Sequence, residues 1–468
     1  MLELDDIQGL VFSGYARERF ARYWFVKLPD AGAAAWLSRL LVRVTTSERS
    51  ARSAERRLNL AFTASGLRAF GLSDAALGSF PAAFVRGMAA PERSRLFGDH
   101  GESAPVHWEF GGTEAGRVDA LVLAYASTAD VLDEESDAIE DGFERFQVEA
   151  HVEDAYLSAD FRDHLGFLDA RTNPRVKGGP RRRHKNPYDP PVPAGEFVLG
   201  HRNAFGHFAT SPRVPVRTGT RRLPGLVDAQ RAMDLGQNGT FLAVRKLAQD
   251  VPGFWRFAER QAHALWPEAP SDGGRAFAER LVGRRLDGRA LGSKSGRERP
   301  GEPQDLRMLN RFGYRDHTAS AAGCPIGAHI RRANPRDSLG ADARESLGSV
   351  RKHRLIRRSR LYGPRFEAPA TESAERGLLF MALCADLERQ FEFLYESSLN
   401  NPKFGGLTHE RDPLALARLD ELELGGETFS LQGSPFRKQV PLERFVRVRG
   451  GAYFFMPGLR ALAYLAEG

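Results

Sequence analysis

Val118-Asp-Ala-Leu-Val-Leu-Ala-Tyr125 is an apolar run of strand length, and residues 128–146 behind it carry a helical pattern. Upstream, residues 22–29 (Arg-Tyr-Trp-Phe-Val-Lys-Leu-Pro) read as a strand closed by proline. Residues 32–44 read as a helix, with Trp36, Leu40 and Val44 at helical spacing. Leu58, Leu60 and Phe62 alternate through a strand at 57–63, and Ser65 opens a short helix after it. The order strand, helix, strand, strand, helix predicts an α+β unit with an antiparallel sheet.

The alternation recurs downstream. Residues 240–246 read as a strand and 253–267 as a helix. Gly377-Leu-Leu-Phe-Met-Ala-Leu-Cys384 reads as a buried strand, and 386–398 as a helix with Leu387, Phe391 and Leu394 on one face. Between the two halves, residues 171–195 hold six prolines and the basic run Arg181-Arg-Arg-His-Lys185, the pattern of a long connector or an anion site. Residues 285–307 form a second charged loop. The expected organisation is an amino-terminal domain over 1–175, a Pro/Arg-rich connector over 176–230 and a carboxy-terminal domain over 231–468.

Composition narrows the function classes. Of 468 residues, 42% are hydrophobic and 27% charged, which excludes wholesale disorder. The net charge of +7 is mild for this length. It permits an anionic ligand without demanding nucleic acid. Two cysteines, Cys324 and Cys384, exclude a disulfide framework, a four-thiolate zinc site and an iron–sulfur cluster. The acidic start, Met-Leu-Glu-Leu-Asp-Asp, lacks a basic-then-apolar signal region, and no run approaches 18 uncharged apolar residues. The expected setting is the cytoplasm, with no membrane or nucleic-acid partner and the oligomeric state open.

Three clusters carry the chemistry. His329 sits in Gly323-Cys-Pro-Ile-Gly-Ala-His-Ile-Arg-Arg-Ala-Asn-Pro-Arg-Asp337. Small residues at 327 and 328 would let something bulky and flat approach, and Arg331, Arg332 and Arg336 would neutralise carboxylates at its edge. A histidine with nearby arginines fits a haem with an axial imidazole. Cys324 is a rival axial ligand, and a structural histidine in a turn is the bland alternative. The second cluster is His353-Arg-Leu-Ile-Arg-Arg-Ser-Arg-Leu-Tyr-Gly-Pro364, in which Arg357 and Arg358 face opposite sides of a strand, one inward and one to solvent. The third is Phe161-Arg-Asp-His-Leu-Gly-Phe-Leu-Asp-Ala170, where Asp169 lies between an apolar run and a turn that it would otherwise simply cap.

Together these clusters resemble the dye-decolorizing peroxidase family of haem proteins. Cys324 to Arg336 is similar to that family's proximal-histidine segment, Arg357 to Gly363 to its distal-arginine segment, and Gly166-Phe-Leu-Asp169-Ala170 to its Gly-x-x-Asp-Gly motif, with alanine in place of the last glycine. Asp6-Ile-Gln-Gly9, Gly195 to Gly200, Asp234 to Thr240 and Glu388 to Phe393 extend the likeness over nearly the whole chain, and the length resembles the larger cytoplasmic branch.

The resemblance implies two ferredoxin-like α+β halves with haem b, one per chain, held mainly by the second. It implies a peroxidase that oxidises organic donors with hydrogen peroxide through a ferryl intermediate; a non-catalytic haem binder or sensor of the same fold is the alternative. His329 would ligate the iron. Asp386, with Glu388 in reserve, would support its imidazole unless it is only a helix cap. Asp169 would shuttle the proton, which favours acidic pH unless burial raises its pKa. Arg357 would stabilise developing charge. Arg336 would meet a propionate, and Ser359 would hydrogen-bond near the distal water. Tyr314, Tyr362 and Trp255 are candidate surface relays for bulky reductants. A third reading is a basic interaction module around 178–187.

Overall fold

In a computed structural model, residues 2–467 are described except 30, 52–53, 170–172, 181–185, 217–222, 227–228, 269–271, 293–308, 316–322, 367–373, 416–426 and 433–436. The first half runs β1 (Phe20–Lys27), α1 (Ala33–Leu41), β2 (Arg56–Phe62), β3 (Ala120–Ala126), α2 (Ala129–Phe146) and β4 (Glu149–Tyr156). Its sheet order is β4-β1-β3-β2, the ferredoxin-like arrangement. The short helix after β2 starts one residue earlier than Ser65: Thr63 is its cap and accepts from the Gly66 N–H at 3.1 Å.

The second half repeats the plan with β5 (Thr240–Gln249), α3 (Val251–Leu265), the broken strand β6 (Ile356–Arg357) and β7 (Arg360–Tyr362), β8 (Gly377–Cys384) and β9 (Val446–Met456). The segment after β8 is helical as expected, but in two π-helical stretches, Leu387–Glu392 and Tyr395–Leu399. The connector region holds more than loop. Arg213–Pro215, Gly225–Leu226 and Ala229–Asp234 make a small three-stranded sheet.

The two sheets do not stay separate. Phe455 of β9 pairs with Phe62 of β2, and Leu361 of β7 pairs with Tyr156 of β4 while also facing Leu378 of β8. The strands therefore close into one barrel, β7-β4-β1-β3-β2-β9-β5-β8 and back to β7. Closure explains the continuous apolar runs, because both faces of β2, β3 and β5 are covered. Tyr23, Phe25, Leu121, Leu123, Val244 and Phe454 point inward, where Ile7, Leu10, Val11 and Tyr15 of the leading segment fill the interior. Trp24, Leu60, Val122 and Phe241 point outward against α1, α2 and their neighbours. Gln8 ties the plug to both halves by donating to Leu60 O and Pro457 O at 2.8 and 3.0 Å. The final helix, α4 (Leu459–Ala466), packs on α1 of the first half. No helix among the described residues is long and apolar enough to cross a membrane.

Phe454 is fully buried inside the barrel. Phe454→Ala is expected to destabilise the native state by about 3–5 kcal/mol. Urea unfolding followed by tryptophan fluorescence checks this; an unchanged midpoint would mean the barrel interior is not the packed core.

Candidate active site

His329 opens the helical turn His329–Ala333. Its Nδ1 lies 3.0 Å from both carboxylate oxygens of Asp412, which is fully buried. Asp412 Oδ1 also accepts from the N–H groups of Leu414 and Ala415 at 2.9 and 2.8 Å. Burial alone would raise the Asp412 pKa, yet His329 and those N–H groups hold it below the ordinary carboxylate range. Burial likewise disfavours a charged imidazole, but Asp412 outweighs it and raises the His329 pKa. An Nδ1–H donated to a carboxylate leaves Nε2 with its lone pair. Nε2 has no hydrogen-bond partner among the described residues, and the side chain is 30% exposed in an otherwise buried neighbourhood.

Sequence reasoning missed Asp412. Asp386 caps the following helix instead, accepting from the Arg389 N–H at 2.9 Å and facing Arg389 Nε at 3.3 Å. Glu388 accepts from the Ala83 N–H at 2.9 Å. Neither meets the imidazole. The visible signal for Asp412 is an Asp-Pro pair in Glu410-Arg-Asp-Pro413, but it stands far along the chain from His329 and in no periodic element.

Asp169 and Arg357 do come together. Arg357 Nη2 lies 3.2 Å from Asp169 Oδ1, with both side chains more than a third exposed. An ion pair so open adds little stability, so its worth is positional. The Arg357 charge lowers the His329 pKa and the Asp169 charge raises it, so the pair lies within electrostatic reach of the imidazole. Asp169 is delivered by a tight turn in which the Phe167 N–H donates to Asp163 Oδ1 at 2.8 Å and Gly166 stands at φ +90°, a conformation that favours glycine. Burial and the Asp169 charge push the Asp163 carboxyl up to about 7, so in acid it adds little negative charge beside Asp169. Ala170 lies outside the described residues, as does the basic run 181–185.

Other expectations are corrected. Arg358 does not face solvent; it donates to Leu10 O and Val11 O at 2.6 and 2.8 Å. Arg332 is fully buried and donates to the carbonyls of Gly327, Ser398, Asn401 and Glu410, while Arg331 donates to Cys324 O. Neither is free for a ligand edge. Gly327 is buried against protein: a side chain there would crowd Glu410 and touch Phe429 and Leu407. Arg336 is buried at φ +51°, donates to Asn310 O and Phe312 O, and lies 4.1 Å above the Phe312 ring. Ser359 Oγ accepts from the Met381 N–H at 3.3 Å. Tyr314 and Tyr362 are buried rather than at the surface, and Trp255 is partly buried against Phe254.

The donor set fits a haem. It offers one open imidazole nitrogen backed by a buried carboxylate, with a guanidinium–carboxylate pair beside it. Cys324 does not compete, because burial pushes its thiol up to about 12 and keeps it protonated.

Solved structures share this fold, and known proteins of similar sequence span nearly the whole chain. No family model matches the chain. The dye-decolorizing peroxidase AauDyP1 of Auricularia auricula-judae is 26% identical over 502 residues, covering 98% of this chain and 86% of that one. The dye-decolorizing peroxidase msp1 of Mycetinis scorodonius is 27% identical, covering 98% and 87%. The multifunctional dye peroxidase DyP2 of Amycolatopsis is 35% identical over 48% of this chain and 49% of its own. Among solved structures, a fungal DyP-type peroxidase from Auricularia auricula-judae superposes with a TM-score of 0.80 at 23% identity, covering 100% and 99% of the two chains. An ancestral D-type dye-decolorizing peroxidase superposes at 0.79 with 26% identity, covering 98% of each chain. The chain is thus similar to dye-decolorizing peroxidases over nearly its whole length.

Both cysteines are free and buried. A thiol reagent such as DTNB is expected to leave the native protein unmodified and to titrate both thiols after denaturation. Rapid native reaction at Cys324 would revive the thiolate alternative.

Proposed function

We propose that the protein is a haem-dependent peroxidase that uses hydrogen peroxide to oxidise organic electron donors such as dyes and phenols. The observation that carries this reading is the His329 imidazole, held by Asp412 through Nδ1 and open at Nε2, beside the Arg357–Asp169 pair. His329 Nε2 would hold one haem b per chain. Bound there, the haem supplies the iron at which the O–O bond is cut and the oxidising equivalents are kept.

The chain's own groups do the rest. Asp412 increases the basicity of the imidazole and fixes its orientation. The Asp169 carboxylate takes the proton from the inner peroxide oxygen and returns it to the outer one, directly or through one water. The Arg357 guanidinium stabilises the negative charge that develops on the leaving oxygen. Ser359 keeps its O–H to donate beside Arg357. The unpaired cysteines support a reducing compartment such as the cytoplasm.

Stopped-flow absorption of variants tests these roles. His329→Ala should lose the Soret band of the loaded protein. Asp169→Ala and Arg357→Ala should keep it but slow the peroxide-driven spectral change, by about 10²- to 10⁴-fold for the proton-transfer residue. If both react at the wild-type rate, the assigned roles are wrong.

A further inference from the structure

Asn173 makes a contact that no catalytic role explains. Its Nδ2 donates to Arg357 O at 3.0 Å, and its Oδ1 accepts from the Arg357 N–H at 2.7 Å. One side chain thus takes both backbone groups of the distal arginine. The strand geometry shows why they need it. β6 pairs with β8 on one side only, where the Arg358 N–H donates to Met381 O at 2.8 Å. Backbone groups alternate along a strand, so those of Arg357 point to the other, outer edge. β6 ends the sheet there, and no strand lies beyond it among the described residues. A carboxamide has one donor end and one acceptor end, like a peptide group, so Asn173 stands in for the missing neighbour. The Arg357 carbonyl also takes a bond from Arg358 Nη1 at 3.2 Å, while its N–H donates to Asn173 Oδ1.

The location gives the contact its consequence. Asn173 lies four residues after Asp169, a span of at most about 14 Å of extended chain. The same short segment that carries the distal carboxylate is therefore fastened to the backbone of the distal arginine. The side-chain pair itself is more than a third exposed, so the direct contact adds little to holding that geometry.

We propose that Asn173 is a positioning residue that sets the placement of Asp169 relative to Arg357. This rests on the reading of those two side chains as the peroxide-handling pair. Asparagine is suited to the task; aspartate lacks the donor, and alanine lacks both groups.

The test is a double-mutant cycle in the haem-loaded protein, with haem content and thermal midpoint recorded for each variant. Two rates are read: the spectral change with hydrogen peroxide, and the association of cyanide with the ferric protein. Asn173→Ala should slow both by about 10- to 100-fold, the usual consequence of a misplacement near 1 Å. In an Arg357→Ala background the same substitution should cost less than about 2-fold, because the group it positions is gone. Equal losses in both backgrounds, or wild-type rates in Asn173→Ala, would overturn the proposal. If Asn173→Ala does not retain haem, Asn173→Asp, which keeps an acceptor for the Arg357 N–H, serves in the same cycle. A wild-type protein that binds haem but ignores peroxide would sink the peroxidase reading alone, since cyanide association still reports on Asn173.

Discussion

One three-residue strand has two neighbours, and the site follows from that. Arg360–Tyr362 pairs with Gly377–Leu379 of its own half and, through Leu361, with Tyr156 of the other. The pairing with Tyr156 is antiparallel. The chain leaving β4 toward Asp169 therefore runs in the direction from which the chain bearing Arg357 arrives. Barrel closure brings a carboxylate from one half against a guanidinium from the other. Arg360 reinforces the seam, its buried guanidinium donating to the carbonyls of Gly14, Tyr15 and Arg19. A buried cation without a facing carboxylate is costly unless its hydrogens are all bonded, and the leading segment supplies those carbonyls.

The proximal side uses the same device. Arg332 gathers carbonyls from the helical turn of His329, from the end of the 395–399 helix and from the loop that carries Asp412. Those segments come together at the imidazole. In each place arginine works as a multi-pronged donor to backbone rather than as a counter-charge. This accounts for part of the basic composition without invoking a polyanionic partner.

The strands were legible in the sequence because a closed barrel buries both faces, which leaves uninterrupted runs such as Ala120–Ala126 and Gly377–Cys384. The α+β character was legible from the repeated strand–helix alternation, whereas the ferredoxin-like order was implied by the family resemblance. Closure was not, since its seams rest on single pairs, Phe455 with Phe62 and Leu361 with Tyr156. His329, Asp169 and Arg357 stood out because their segments are distinctive. Asp412 did not, because a buried carboxylate in an irregular loop leaves no periodic trace. Asp386 looked better by proximity to a strong strand, and its capping bond to Arg389 is what that position satisfies. The arginines at 331 and 332 misled for a related reason: sequence shows their charge but not the carbonyls that consume it.

The central claim is that this barrel holds one haem on His329 and turns peroxide over at the Arg357–Asp169 pair. The most direct measurement is the visible absorption spectrum of the haem-loaded wild-type protein before and after one equivalent of hydrogen peroxide. We expect a Soret band at one haem per chain that shifts within the mixing time and returns when an organic donor is added. A Soret band that stays in place would contradict the peroxide chemistry, and its absence after haem is supplied would contradict the site itself.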